Sequence, residues 1–567
     1  MALSVLGLFY FIYFMQSGEE KGTVASDFLP PDVLFYGEQL DFTASYHEFL
    51  DSRLGRTLKR LDYRGIASDL GSPEQNIQEV ERLWTKVNEV INDPGFDEIL
   101  GKQFSVAIFP AKSFATVNPA KAIEERLLLI AKPRHQAETL TLLAPVFIRD
   151  VEQKKLQYGS HTITRYKLSE KDSLSTATVA GLVLAGFDER LVRKGLDCYD
   201  ERGTKESLSD NVEFKKLRGS FASANIFAYL SLPALYEQGQ MIAGHLPERD
   251  RAEFLRLLEH WQGWGAAAYG AWRQEGLVRD RVEIRFNREK LDSHIAGFFE
   301  VKPAENKTLA MVPDDTLFYY WTNTLNLQLL WKLYVLNGAD QQPEALEILR
   351  HELRDSVGVE LEELLAMIDS EFALIVKDVD QEGIPLPKVG GLVQLKDPEA
   401  FLAIFNKLLE EADIPTSQKK YKGHEITYWG IAPQHGLQPA FCRFGNYLLI
   451  SNSIDLVKQV GVLVNGSGKS LLQGETMVEV GAELNKKNNS ATYIHIARLA
   501  DSLKGLAIWA KSMAVLQGPQ AALEAEVYVH HILLPLLDGI AMYTQLGSRS
   551  FITDDSIVLE STINVVQ

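Results

Sequence analysis

Cysteine is almost missing from this chain: Cys198 and Cys442 are the two in 567 residues, far apart in sequence. No CxxC redox or zinc motif can be built from them, and a framework of several disulfides is excluded, while the compartment stays open. Positive charge is also short. Lys and Arg number 58 against 76 Asp and Glu, giving a formal net charge of -18, and no long basic run offsets it. Such a field repels phosphate backbones, so nucleic acid is excluded as a partner. Complete catalytic signatures are lacking as well. No GxSxG nucleophile elbow, HExxH zinc motif or GxGxxG fingerprint in a strand-to-helix context occurs.

Two fragments come near such motifs. His351-Glu352-Leu353-Arg354-Asp355 would put His351 and Asp355 on one helical face, yet the second His of a zinc site is absent. Its surroundings, EALEILRHELRDSVGVELEELL, read as a solvated helix with i,i+4 ion pairs. GVLVNGSGKS at 461–470 ends like a phosphate-binding loop, but Leu463 stands where the first glycine is required, so it reads as a surface loop. We assign no catalytic residue, cofactor ligand or metal ligand.

What is present is a packed composition, 46% hydrophobic and 10% aromatic, in a chain long enough for several domains. Residues 1–15, MALSVLGLFYFIYFM, carry no charge and suit a short membrane anchor or the apolar core of a signal segment. Thr23-Val24-Ala25 is the nearest small-residue cleavage pattern, and no basic residue precedes the apolar run. We expect a retained apolar helix here, with the membrane as a partner through residues 1–15.

The strongest signal is an echo. Pro30, Asp32, Leu34, Phe35 and Tyr36 recur in the same spacing as Pro313, Asp315, Leu317, Phe318 and Tyr319. KQFSVAIF then matches SEFALIVK at Phe104 and Phe372, and LLLIAKPRHQAETL matches GLVQLKDPEAFLAI as a strand, a Lys, a Pro and a helix. Tyr158, His161, Ile163 and Thr164 recur as Tyr421, His424, Ile426 and Thr427, and GLVLAGFDERLVRKGL is matched by NYLLISNSIDLVKQVG. Matches in one order mean an internal duplication with insertions in loops.

We therefore expect an α+β fold of two tandem related domains, each a mainly antiparallel sheet covered by helices on one face, after the N-terminal apolar helix. The divisions are 1–27 for anchor and linker, 28–300 for the first unit, 301–310 for a short polar linker and 311–567 for the second unit. The doubled phrase reads as a start signal, with Pro30 and Pro313 at the first strand position, and the acidic pairs Asp314-Asp315 and Asp554-Asp555 read as bonding turn backbone at strand entrances. His161 and His424 read as turn-capping residues bonded to backbone.

Two apolar segments are candidates for a ligand or partner surface. HWQGWGAAAYGAW reads as a Gly/Ala-rich helix carrying Trp261, Trp264 and Trp272. TLNLQLLWKLYVLN, with Leu329, Leu330 and Trp331, is apolar nearly all round, and a helix of that kind must be covered.

With its paired segments laid out, the chain resembles the bacterial family catalogued as domain of unknown function 3352. The features that carry the resemblance are an LPxDxxxY-like opening at Leu29 to Tyr36, an acidic helix leading into a strand at Glu360 to Val376, and a strand-Lys-x-Pro-helix step at Leu392 to Phe401. Val312 replaces the leading Leu in the second unit. The resemblance implies a cell-envelope protein, anchored in the inner membrane with its body in the periplasm, and it supplies no catalytic residues. The expected function is a non-enzymatic binding or scaffold module that holds a protein partner or a lipid-like apolar ligand. The rival expectation is an envelope hydrolase with dispersed catalytic residues.

Overall fold

A computed structural model describes residues 23–91, 102–111, 119–134, 152–169, 172–338, 348, 350, 351, 353–379, 386–430, 438–474, 477–481 and 483–566. The expected anchor at residues 1–15 lies outside the described residues. The chain divides into two compact units whose main boundary falls between Asp292 and Ser293.

The N-terminal unit is built on strands β1 (Phe35–Leu40), β2 (Gln103–Ile108), β3 (Leu127–Lys132), β4 (Gln153–Tyr158), β5 (His161–Lys167), β6 (Ser173–Val179), β7 (Leu182–Gly186), β8 (Ile226–Ser231), β9 (Trp264–Gln274) and β10 (Leu277–Phe286). Side by side they run β4-β5-β6-β7-β3-β2-β1-β8-β9-β10. Its helices include α1 (Glu189–Asp200), α2 (Val212–Ser220), α3 (Leu232–Ala243) and α4 (Glu248–Glu259). Each of the first three starts at a side-chain cap: Asp188 accepts from the Arg190 N–H, Asn211 from Phe214 and Ser231 from Ala234. Alternation along the strands turns Tyr36, Leu128, Leu184 and Phe227 inward, where Val192 and Leu196 of α1 and Phe214 and Leu217 of α2 meet them.

The C-terminal unit uses β11 (Phe318–Thr322), β12 (Ile368–Val379), β13 (Pro387–Leu395), β14 (Ser417–Tyr421), β15 (His424–Tyr428), β16 (Ala440–Phe444), β17 (Tyr447–Ser451), β18 (Ser490–Ile494), β19 (Tyr543–Ile552) and β20 (Ser556–Val565). Their order is β14-β15-β16-β17-β13-β12-β11-β18-β19-β20. The described strand registers are antiparallel in both units, and the succession of neighbouring strands is the same in each. Its helices include α5 (Leu327–Gly338), α6 (Pro398–Glu411), α7 (Ile454–Val464), α8 (Ile496–Ala514), α9 (Pro519–Glu526) and α10 (Leu534–Ile540), with a π-helical stretch, Val527–Leu533, between the last two.

Registers sharpen the echo. Gln39 pairs with Phe104 and Tyr36 with Tyr229, while Thr322 pairs with Phe372 and Tyr319 with Tyr493. Tyr158 faces His161 across one hairpin as Tyr421 faces His424 across another. The second hairpin turns through Lys422 and Gly423, both at positive φ (49° and 86°), as a tight two-residue turn of this twist requires. The Lys-Pro step fits less well. Phe104 pairs with Ala131 and Phe372 with Val393, so Lys132 takes the sheet position of Gln394, two residues before Lys396.

Three further expectations change. HWQGWGAAAYGAW is not a helix: α4 ends at Glu259, Gly263 turns at φ 83°, and residues from Trp264 form β9. Small residues serve close approach to a neighbouring layer here, since a Cβ on Gly270 would lie 2.3 Å from the ring of buried Phe221. The C-terminal sheet is covered on both faces, not one. Phe401 and Phe405 of α6 pack with Leu395, Phe441 and Leu448, whereas the alternate residues Cys442 and Leu449 face the α7 side. Finally, Pro30 and Pro313 precede the strands; their carbonyls accept from the Val33 and Thr316 N–H groups at 3.4 and 3.2 Å, closing turns that deliver the chain into β1 and β11.

Segment 301–310 is absorbed into the C-terminal unit. Ala304–Glu305 pairs with Lys487–Asn488, and the Asn489 and Asn323 side-chain amides donate to the carbonyls of Val301 (3.1 Å) and Lys302 (3.0 Å).

Candidate functional site

Buried charge in each unit is committed to the sheet itself. In the N-terminal unit Glu38 of β1 accepts from the Tyr36 hydroxyl at 2.6 Å and the Gln103 amide at 3.1 Å, and the Arg218 guanidinium of α2 lies 2.5 Å away. Burial, and then the Glu38 charge, hold the Tyr36 hydroxyl well above its usual range. In the C-terminal unit Glu371 of β12 accepts from the Tyr447 hydroxyl at 2.7 Å and the Trp321 indole at 3.4 Å. Burial, followed by the bond to Glu371, raises Tyr447. The two carboxylates sit on opposite members of corresponding strand pairs: Gln103 of β2 takes the register position of Glu371, and Trp321 that of Glu38.

The doubled aspartates follow the same logic. Asp315 does not bond turn backbone as expected; its carboxylate lies 2.7 Å from the buried Lys377 ammonium. Asp32 lies 3.6 Å from Lys194 of α1. Each aspartate thus pins the incoming chain to the element beneath it.

The remaining motif residues do not assemble into a reactive centre. His161 Nε2 lies 2.8 Å from the Asp200 carboxylate instead of bonding backbone. His424 meets Phe444 edge to face at 4.9 Å, and Asn465, whose amide donates to the Lys422 carbonyl, stands in the corresponding stretch of α7's C-terminus. His351 is exposed, Arg354 pairs with Glu360 at 2.8 Å, and Glu352 lies outside the described residues. Among the described residues no group of three or more His, Cys, Asp or Glu is arranged to hold a metal ion. Gly466 and Gly468 of the would-be phosphate loop turn at positive φ on an exposed surface after α7.

The described recesses are small. One of about 230 Å³ lies over β4 to β6 between Glu152, Lys154, Arg165, Lys167 and Asp172. Another of about 160 Å³ lies at the start of α5, beside Asp369 and Lys396. Both fall below the roughly 300 Å³ at which small-molecule pockets usually begin.

The apolar candidates behave differently from one another. Trp264 donates to the His260 carbonyl at 3.2 Å and packs on Phe286; Trp272 donates to the Ala222 carbonyl at 3.2 Å and stacks on Phe221. Both are engaged in the N-terminal unit, while Trp261 is 43% exposed. On α5 of the C-terminal unit, Trp331 donates to Glu362 at 2.9 Å and stacks on Tyr334, Leu329 is half-buried, and Leu330 remains 46% exposed. The sequence reading missed one more apolar surface, at Met513, Val515, Leu516 and Leu523. Its signal was a run without charge at 512–523. Among the described residues no helix is long and apolar enough to cross a membrane.

Fold and site together define an α+β protein whose buried polar groups hold antiparallel sheets and whose unpaired chemistry is apolar and helical. The chain belongs to the family described as "Protein of unknown function (DUF3352)", which matches residues 97–525. Among curated proteins no match is found. Solved structures to which it is similar include crystal forms III, I and IV of TP0453, at 12%, 12% and 13% sequence identity. These matches cover 49%, 48% and 46% of this chain and 85%, 83% and 79% of the other, with TM-scores of 0.25, 0.24 and 0.23.

Proposed function

We propose that the protein is a non-enzymatic, membrane-tethered cell-envelope scaffold, built from a duplicated domain opening on tandem LPxDxxxY-type phrases, that holds a protein partner or an apolar ligand on its helices. The duplication is supported by the shared succession of strand pairings and by the matching registers of Tyr36 with Tyr229 and Tyr319 with Tyr493. The tether is residues 1–15, and the body lies in the periplasm.

The observation that carries the binding role is α5. Leu327–Gly338 holds a single charged side chain, Lys332, yet leaves Leu330 46% exposed. A helix that is apolar all round is stable in water only when covered. A photo-crosslinking residue at Leu330 in cells, followed by membrane fractionation and mass spectrometry of the adduct, tests this. A discrete adduct in the membrane fraction, with a defined protein or with lipid, is the expected result. A soluble protein without any adduct overturns it.

A further inference from the structure

The helical excursion between β18 and β19 ends in a point without charge. α8 runs out to Ala514, the chain turns through Gly518, and α9 returns from Pro519. Residues 512–523, SMAVLQGPQAAL, hold no charged side chain, and at the turn Val515 is 62% and Leu516 80% exposed. Met513 and Leu523 flank them, also exposed. Burial of such side chains is worth so much in water that a compact group of four at one tip needs an occupant.

The corresponding excursion of the N-terminal unit, between β8 and β9, provides an internal contrast. Its turn, Gly244-His245-Leu246-Pro247, leads directly into the charged stretch Glu248-Arg249-Asp250-Arg251. The Arg251 guanidinium closes that turn by donating to the carbonyls of Ala243 (3.0 Å) and Gly244 (3.1 Å). One excursion ends polar and tied down; the other ends apolar and open.

Charge returns just behind the apolar point, as a collar of both signs. Lys511 lies 2.9 Å from Glu526 and 2.8 Å from His530, and Glu524 is exposed beside them. At about 1.5 Å per residue, Leu516 stands roughly 8 Å beyond Lys511. That matches the roughly 5–10 Å to which interfacial helices bury their apolar side, with the collar then level with the headgroups. Exposure peaks at the turn, where Val515 and Leu516 are adjacent, while exposed Leu503 and Ile508 of α8 and Tyr528 and Leu533 beyond α9 lie further back along the excursion. With a net charge of -18 on the chain, attraction to an anionic surface does not contribute; a mixed-sign collar suits zwitterionic headgroups.

The geometry points to the α8–α9 tip as a membrane-dipping element that inserts Val515 and Leu516 into the interface of a zwitterionic bilayer. It is a contact separate from the tether and requires nothing of residues 1–15. The test uses the full chain reconstituted with phosphatidylcholine vesicles, carrying an environment-sensitive maleimide dye at Leu516→Cys in a Cys198→Ser background. A control carries the dye at Val212→Cys, 76% exposed in the N-terminal unit. The expected result is a blue shift at residue 516 and quenching by spin-labelled phosphatidylcholine, neither seen at residue 212, and both lost on adding Val515→Glu. A protein that floats with the vesicles while residue 516 stays unshifted overturns the tip and leaves the tether standing. A shift at residue 516 with flotation lost in the Val515→Glu chain leaves the tip standing and overturns the tether. A lipid-independent shift that grows with protein concentration assigns the tip to a second copy of the chain, and overturns the proposal.

Discussion

Lys377 and Asp315 stand 2.7 Å apart, with the lysine buried and the aspartate half-exposed, and Gln459 of α7 accepts a further bond from the same ammonium. In the N-terminal unit Phe109 takes the position of Lys377, and Lys194 of α1 takes that of Gln459, so the cation reaches Asp32 from the helix and lies over the Phe109 ring at 4.9 Å. The aspartate thus meets a lysine of a helix in the N-terminal unit and a lysine of a strand in the C-terminal unit.

This arrangement predicts a coupled pair of substitutions. Lys377→Phe alone removes the partner of Asp315, and should cost about 1–3 kcal/mol, the range for losing a charged hydrogen-bond partner. Adding Gln459→Lys rebuilds the N-terminal arrangement and should recover part of the loss, with a coupling energy of about 0.5–3 kcal/mol. Asp315→Ala should cost more than Asp32→Ala, because Lys377 is left buried whereas Lys194 reaches solvent. Urea unfolding of these four variants and of Gln459→Lys alone measures this, and strict additivity in the double variant would refute the coupling.

The two thiols should be slow to react for a shared reason of different strength. Burial pushes Cys442 up to about 12, with Glu425 adding to it, and burial also raises Cys198, against which the Lys194 charge acts. Since the thiolate is the reactive form, a disulfide reagent near pH 8 should leave Cys442 untouched in the folded protein and modify Cys198 slowly. Both should react at once in denaturant. Prompt loss of two thiols in the native state would contradict the burial of β16.

Alkaline conditions should destabilise the fold through its buried tyrosines. Tyr36, Tyr319 and Tyr447 are raised by burial above the roughly pH 10 of a tyrosine in an unfolded chain. Above that pH the unfolded chain has lost protons that the folded one keeps, so the slope of stability against pH is negative there. Stability is therefore complete below about pH 10 and falls beyond it. Urea midpoints from about pH 8 to about pH 11 should decline at the upper end, and less steeply in Tyr319→Phe. A flat profile would mean that these hydroxyls reach water.

Much of the architecture was written in local chemistry. A proline that starts a turn, an alternating run and a polar cap repeat in both units, and strand registers reproduce those spacings from Tyr36 and Tyr319 onward. β9 was misread because its alanines favour a helix, while the small residues here serve the close approach of the Phe221 ring to Gly270, a long-range fact. The exchanges at Glu38 and Glu371 were invisible for a related reason: a carboxylate that changes strands leaves no match at either position. The apolar point at Leu516 was legible only as an absence of charge, which acquires meaning once the turn between α8 and α9 exposes it.

The stitching of residues 301–305 to Asn323 and to Lys487, Asn488 and Asn489 bears on how the chain can be divided. A fragment that starts at residue 311 would lack the Ala304–Glu305 pair and the Asn306 side chain, which accepts hydrogen bonds from the Leu309 N–H and the Tyr319 hydroxyl. Asn489 and Asn323 would lose the carbonyls of Val301 and Lys302, leaving buried amides to find water. The seam at which the gene is best cut for separate expression therefore runs ahead of Val301, and the polar stretch that looks like a hinge in the sequence travels as cargo of the second half.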